Sequence, residues 1–334
     1  MQRQPENTEN ILQICERKCC MKISLQNWLI LLLLSLTWGS SFILIKQGLV
    51  SFSPFQVGAL RMTIAAGFLS IWGFRNLTAI PKSKLKWVII AGANGNFIPM
   101  FLFPIAQTRV SSSMAGILDS LVPIFVLLFG SLFFRQKTLI NQVLGAIVGF
   151  IGAVLLIGFD GLNGENSFWH CLLIILATAM YGMNSLIITN KLYDIPPFRL
   201  STSLFTIWLF PALIILFFSG FFENFVGTQV QWRSLGYVVI LGFIGTALAM
   251  MLFYRLIQST GAIFASMVTY LMPVVSVFWG IMVGENITWI HLIGFVLILV
   301  GVNLIQLKNA KNQLNSCCES SNHTAINEEF QSKG

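Results

Sequence analysis

Apolar residues in this chain come in long unbroken runs separated by short polar stretches. They do not follow the period of two or of 3.6 residues that marks an element with one wet face. Windows of about 19 residues pick out ten runs, at 27–47, 54–75, 86–107, 110–134, 141–159, 168–190, 199–222, 234–257, 261–283 and 288–307. At about 1.5 Å per residue each can span a hydrocarbon layer of about 30 Å. The pattern predicts an all-α membrane protein with ten transmembrane helices. Pro54, Pro81 and the pair Pro196-Pro197 fall at boundaries, because proline lacks an amide hydrogen and disfavours helix at the residue before it.

The runs also repeat. Trp38-Gly39 and Pro54-Phe55 return 143 positions later as Tyr181-Gly182 and Pro197-Phe198. Gly92 and Gly95 return as Gly242 and Gly245 at an offset of 150, and Gly145 and Gly152 as Gly294 and Gly301 at 149. The run 110–134 returns at 261–283, where Ala265-Ser266, Leu271, Pro273 and Gly280 answer Ala115-Gly116, Leu121, Pro123 and Gly130. The chain therefore reads as two five-helix units, 23–160 and 168–307, with a cytoplasmic tail at 1–22 and a disordered cytoplasmic tail at 308–334. Five crossings is an odd number, so the second unit is expected to be inverted relative to the first. One acid breaks the match: Thr269 stands where Asp119 stood.

Composition narrows the class. The chain is 56% hydrophobic and 10% charged, whereas soluble domains carry about 25% charged residues, so a soluble globular domain is excluded. The net charge of +8 does not indicate nucleic acid, because the basic residues form no stripe with interleaved aromatics. They end apolar runs instead. With the amino terminus in the cytoplasm, sixteen lysines and arginines fall on that side, and Lys46, Arg109 and Arg233 on the other. This positive-inside bias predicts that both termini are cytoplasmic. Residues 1–20 hold no apolar signal-peptide core, and Met21-Lys22 is an alternative start. Five of the six cysteines lie in the tails, where reduced thiols are expected and the spacing makes no zinc site.

Two charges stand out inside the runs, Asp119 and Arg61. Each lies about 10 Å of helix from the outer end of its run. Three roles stand open: a structural ion pair, recognition of a substrate carboxylate or amine, and proton coupling through Asp119. Either way Asp119 is expected to face the bundle interior, within reach of Arg61. Trp38 is too deep for the interfacial aromatic belt. Together with Gly39, Ser40 and Ser41 it reads as helix packing or, with Tyr181, as a wall of a central cavity. Asn184, Ser185, Asn94 and Asn96 would supply such a cavity with donors and acceptors, and Tyr270 is a further candidate. Gly39, Pro123 and Pro273 are candidate hinges, since each proline deprives a carbonyl four residues back, that of Asp119 or Thr269, of its donor. Tyr254-Arg255 reads as the cytoplasmic end of a span, and His170 and His291 as interfacial. No nucleophile and base set, metal motif or P-loop occurs, so no enzyme, metal or cofactor is expected, and transport would be secondary or facilitated.

From 22 to 307 the chain resembles the EamA-type branch of the ten-helix drug/metabolite transporter superfamily. The resemblance rests on Thr37-Trp38-Gly39-Ser40-Ser41-Phe42 with Lys46, on Ala59-Leu60-Arg61, and on Leu271-Met272-Pro273-Val274. It continues in Gly284-Glu285-Asn286-Ile287-Thr288 and in Gly294 and Gly301. It implies export of amino acids or related small metabolites across a bacterial inner membrane by alternating access, with drug or amine efflux as the alternative. The partners it implies are that small molecule, the lipid bilayer and protons as a coupling ion, and not nucleic acid. Members often carry a Gly-Glu-like element after the fourth helix too, where this chain has Arg135-Gln136, 150 positions before Glu285-Asn286.

Overall fold

The computed structural model describes residues 25–135, 139–163, 167–285, 287–301 and 303–304, with backbone alone for 156–163 and 262–263. Both expected tails with their five cysteines, the alternative start at Met21, Gln136 and Asn286 lie outside these residues. No strand occurs among the described residues. The helices are α1 (Leu25–Leu49), α2 (Pro54–Thr78), α3 (Lys82–Gly92), π1 (Ala93–Phe97), α4 (Ile98–Gln107), α5 (Ser112–Asp119), α6 (Val122–Phe134) and α7 (Ile140–Asn163). There follow α8 (Phe168–Lys191), α9 (Pro197–Phe218), the short α10 (Phe221–Asn224), α11 (Gln229–Gly242), π2 (Phe243–Leu248), α12 (Ala249–Ala265) and α13 (Val268–Met282). A last apolar helix, α14, runs Trp289–Gly301.

Seven helical stretches among the described residues are long and apolar enough to cross a membrane: α1, α2, Lys82–Gln107, Ser112–Phe134, α8, α9 and Gln229–Gly261. The three other predicted runs coincide with shorter apolar helices, Ile140–Leu155, Val268–Met282 and Trp289–Gly301. Local chemistry explains several starts. Proline opens α2 and α9, where its missing amide hydrogen costs nothing. Ser53 with Gln56, and Thr228 with Gln231, form reciprocal capping boxes at the starts of α2 and α11. Large apolar side chains such as Ile71, Phe74, Phe210, Phe217 and Ile281 point outward, which suits a lipid surface. Small and polar groups turn inward.

Two expectations need correcting. The run 110–134 is not one continuous helix: Ser120 and Leu121 form a turn between α5 and α6. Pro123 sits in the first turn of α6, where a helix tolerates it, so the chain restarts rather than kinks. The second copy breaks at Ser266-Met267, and there Pro273 lies inside α13. The two prolines thus match in sequence without holding the same place relative to the break. The stretch preceding that copy turns at Gly261, whose φ of 85° is one a side chain would resist.

The repeat is visible in the backbone. π1 and π2, each one extra residue wound into a helix, begin at Ala93 and Phe243, the offset already seen for the Gly92/Gly242 pair. A β-carbon on Gly301 would lie 2.4 Å from the Gly145 carbonyl, and one on Gly152 would lie 2.9 Å from the Gly294 carbonyl. Exchanging the two copies turns the first contact into the second. A contact that maps onto itself is the mark of a two-fold relation, and here it joins α7 to α14.

Candidate functional site

The interior polar residues converge because each unit's π-helix holds side chains of the other. A π-turn leaves its carbonyls without the usual helical donors, and such turns recur at functional sites. Trp38 of α1 donates from Nε1 to the Gly245 carbonyl in π2 at 2.9 Å. Arg61 of α2 donates from Nε to Thr246 Oγ1, also in π2, at 2.8 Å. That hydroxyl in turn donates to the Leu241 carbonyl five residues back. Reciprocally, Asn96 in π1 donates to the Tyr254 hydroxyl of α12 at 3.0 Å. Gly95 leaves its neighbour so little room that a β-carbon there would stand 2.1 Å from the Asn184 amide.

These groups enclose a cavity of about 90 Å³ between the two units, space for several water molecules at about 10–15 Å³ each. Its polar wall is Ser41, Arg61, Asn96, Asp119, Asn184, Ser185, Thr246 and Thr269, and its aromatic wall is Trp38, Phe42, Phe103, Tyr181 and Phe253. Trp38 meets Phe253 edge-on at 4.9 Å, and Tyr181 stacks on Phe103 at 5.9 Å.

Of the three roles left open for Arg61 and Asp119, a direct ion pair is not formed. Among the described residues the only ion pair joins Lys84 to Asp194, outside the cavity. Arg61 donates to Thr246 and Asp119 ends α5 at the helix break, and both line the cavity without an ion pair between them. Asp119 is buried, as expected for an interior residue, yet its Oδ1 has no hydrogen-bond partner among the described residues. The amide oxygens of Asn96 and Asn184 are equally without partners. Three buried acceptors thus line one cavity unsatisfied, a costly arrangement unless something enters to donate to them.

A wall of mixed polarity around a buried cavity between two repeats suits a passage for small molecules, and the comparisons with known proteins bear on that directly. The sequence matches the EamA-like transporter family over residues 26–158 and again over 168–307. The chain belongs to that family. It is 25% identical over 292 residues to an uncharacterized transporter of Archaeoglobus fulgidus, covering 85% of this chain and all of that one. It is 25% identical over 280 residues to a probable amino-acid metabolite efflux pump of Salmonella typhimurium, covering 81% of this chain and 91% of the relative. A crystal structure with 18% identity superposes with a TM-score of 0.57, over 86% of this chain and 98% of the other, which speaks to the fold alone. As an EamA-type member of the drug/metabolite transporter superfamily, the protein is a multi-pass membrane transporter rather than an enzyme.

Of the residues singled out from the sequence, Trp38, Ser41, Arg61, Asn96, Asp119, Tyr181 and Asn184 line this cavity, and Asn94 and Tyr270 do not. Asn94 is only half-buried, and Tyr270 buries its hydroxyl elsewhere without a partner among the described residues. Gly39 packs: a β-carbon there would press on Val275 at 2.5 Å and on the Met272 carbonyl at 2.8 Å. Pro123 and Pro273 are not in the wall either. Sequence reasoning missed Thr246, and it took Tyr254 for the end of a span although Tyr254 is fully buried. The repeated spacing of Gly92 and Gly95 with Gly242 and Gly245 was the available signal, since the first glycine of each pair precedes a π-helix and the second lies within it.

Proposed function

We propose that this protein is a secondary transporter that exports amino acids or related small metabolites from the cytoplasm by alternating access, with the central cavity as its substrate site. One observation carries the reading: a base and an acid face the same cavity unpaired, the acid beside two unsatisfied amide acceptors. An amino acid fits that arrangement. Its carboxylate would meet the Arg61 guanidinium, and its ammonium, with three N–H donors, would satisfy Asp119, Asn96 and Asn184. The efflux-pump relative from Salmonella typhimurium supports the same substrate class. The bacterial relatives support a bacterial inner membrane, and the excess of lysine and arginine on one side supports two cytoplasmic termini. Protons arriving at Asp119 would couple export to the proton gradient.

Efflux of organic cations is the second reading, and one feature favours it. The cavity that holds this acid is also lined by the rings of Trp38, Tyr181, Phe103 and Phe253, and aromatic faces attract cations. Overexpression followed by challenge with toxic amino-acid analogues and with cationic drugs separates the two. Protection from the analogues is expected, and protection from the drugs alone would establish the second reading instead.

A further inference from the structure

Glu285 is not among the residues lining the cavity, and the substrate reading does not account for it. Helix α13 ends in a tight turn. Gly284 adopts a φ of 80°, its amide bonds the Ile281 carbonyl, and the Glu285 amide bonds the Gly280 carbonyl at 2.9 Å. This left-handed glycine closure aims the Glu285 side chain across at the start of α5. There Oε1 accepts from the Ser112 amide at 2.7 Å, and Oε2 accepts from the Ser113 amide at 2.9 Å and from the Ser113 hydroxyl at 2.6 Å. Ser111 takes the next amide, that of Met114. A carboxylate from the second unit therefore caps a helix of the first, where exposed amides and the helix dipole favour negative charge.

Among the described residues such a bond is found at one end of the bundle only. Along α5 the two broken helices run together, with Gly116 against Ser276 and Gly280 against Ser113. Past the break α6 turns away and packs along α8, where Val122, Val126 and Leu186 form a small apolar cluster of their own. At the other end the position matching Glu285 is Arg135, and that matching Gly284 is Phe134, so neither the acid nor the glycine that aims it is present. We propose that Glu285, Ser112 and Ser113 form a latch that holds the outer ends of α5 and α13 together. Its release opens the cavity outward, while the inner ends part without an equivalent bond. That these ends face outward rests on the proposed orientation; the latch itself rests on the bonds.

A cysteine reporter in the cavity wall, Met250→Cys with the native cysteines replaced by serine, tests this with a membrane-impermeant maleimide in right-side-out and inside-out vesicles. Protease removal of a carboxyl-terminal tag identifies the faces separately, so a wrong orientation is read apart from a wrong latch. Glu285→Gln should raise labelling from the outer face by about fivefold or more and lower it from the inner face, because one population grows at the other's expense. Ser113→Ala, which removes one of the three bonds, should move both rates the same way by less, and it decides the matter if the Glu285 variant does not fold. Unchanged rates in the folded variants would overturn the latch. So would a rise on both faces, since a cap of merely structural value loosens the protein without choosing a side.

Discussion

Asp119 is buried at 4% exposure with an oxygen that nothing among the described residues bonds. The protein bears the cost of an unpaired buried acid, as binding sites do when they give up stability for function. Asp119→Asn should therefore raise the thermal midpoint of the purified protein by a few degrees while lowering export about tenfold or more, measured by substrate counterflow in proteoliposomes. A fall in both would mean the acid is structural, and unchanged export would overturn its role in transport. Thr246→Val removes the oxygen that holds Arg61 and should raise KM more than it changes the maximal rate, because the guanidinium stays in the cavity but loses its aim. Asp119 and Arg61 were both legible in the sequence as lone charges in apolar runs, whereas Thr246 was not. A threonine in a membrane helix looks like any other until the helix around it is known to wind as π2.

The elements owe their packing to small residues, but not every glycine matters. The Gly301 and Gly152 contacts leave no room for a side chain, so Gly301→Val should separate α7 from α14 and cut the yield of folded protein severely. Gly67 and Gly236 have open space where a β-carbon would go. Alanine at either should stabilise by about 0.5–1 kcal/mol through higher helix propensity, read as a small rise in thermal midpoint. Where elements meet water, Lys84 of α3 bonds Asp194 in the loop before α9, and that ammonium holds the Asp194 carboxyl below its ordinary range. A depressed carboxyl stabilises fully above the unfolded value of about 3.9, and the gain is lost as pH falls through the lower folded value. The pair is exposed enough to be worth no more than about 1 kcal/mol. Asp194→Asn should thus melt slightly below the parent at pH 7, and the gap should shrink as the pH falls below about 3.9. The sequence marked nearly all the helix positions, because twenty apolar residues in a row leave few alternatives. It did not mark the breaks, because a proline signals the same disturbance whether it starts a helix, as Pro123 does, or sits within one, as Pro273 does.

Across the whole molecule the two units are joined by exchange: α1 and α2 anchor on π2, and α12 anchors on π1. Because these bonds cross between units, any rocking of one unit on the other must reach the cavity wall. That is the geometry alternating access needs. Departures from the symmetry then locate function. Arg61 and Asp119 both belong to the first unit, facing Leu204 and Thr269 as their counterparts in the second, and Glu285 belongs to the second, facing Arg135. The sequence by itself determined the membrane class, the repeat, the family and the two interior charges, since apolar run length, spacing and composition are properties of the chain alone. Only the tertiary structure decided that those charges stay unpaired around one cavity, that Asn94 and Tyr270 stand outside it, and that Glu285 reaches across 172 positions to cap another helix. Those facts depend on where a side chain finds its partner in space, and distance along the chain carries no record of that.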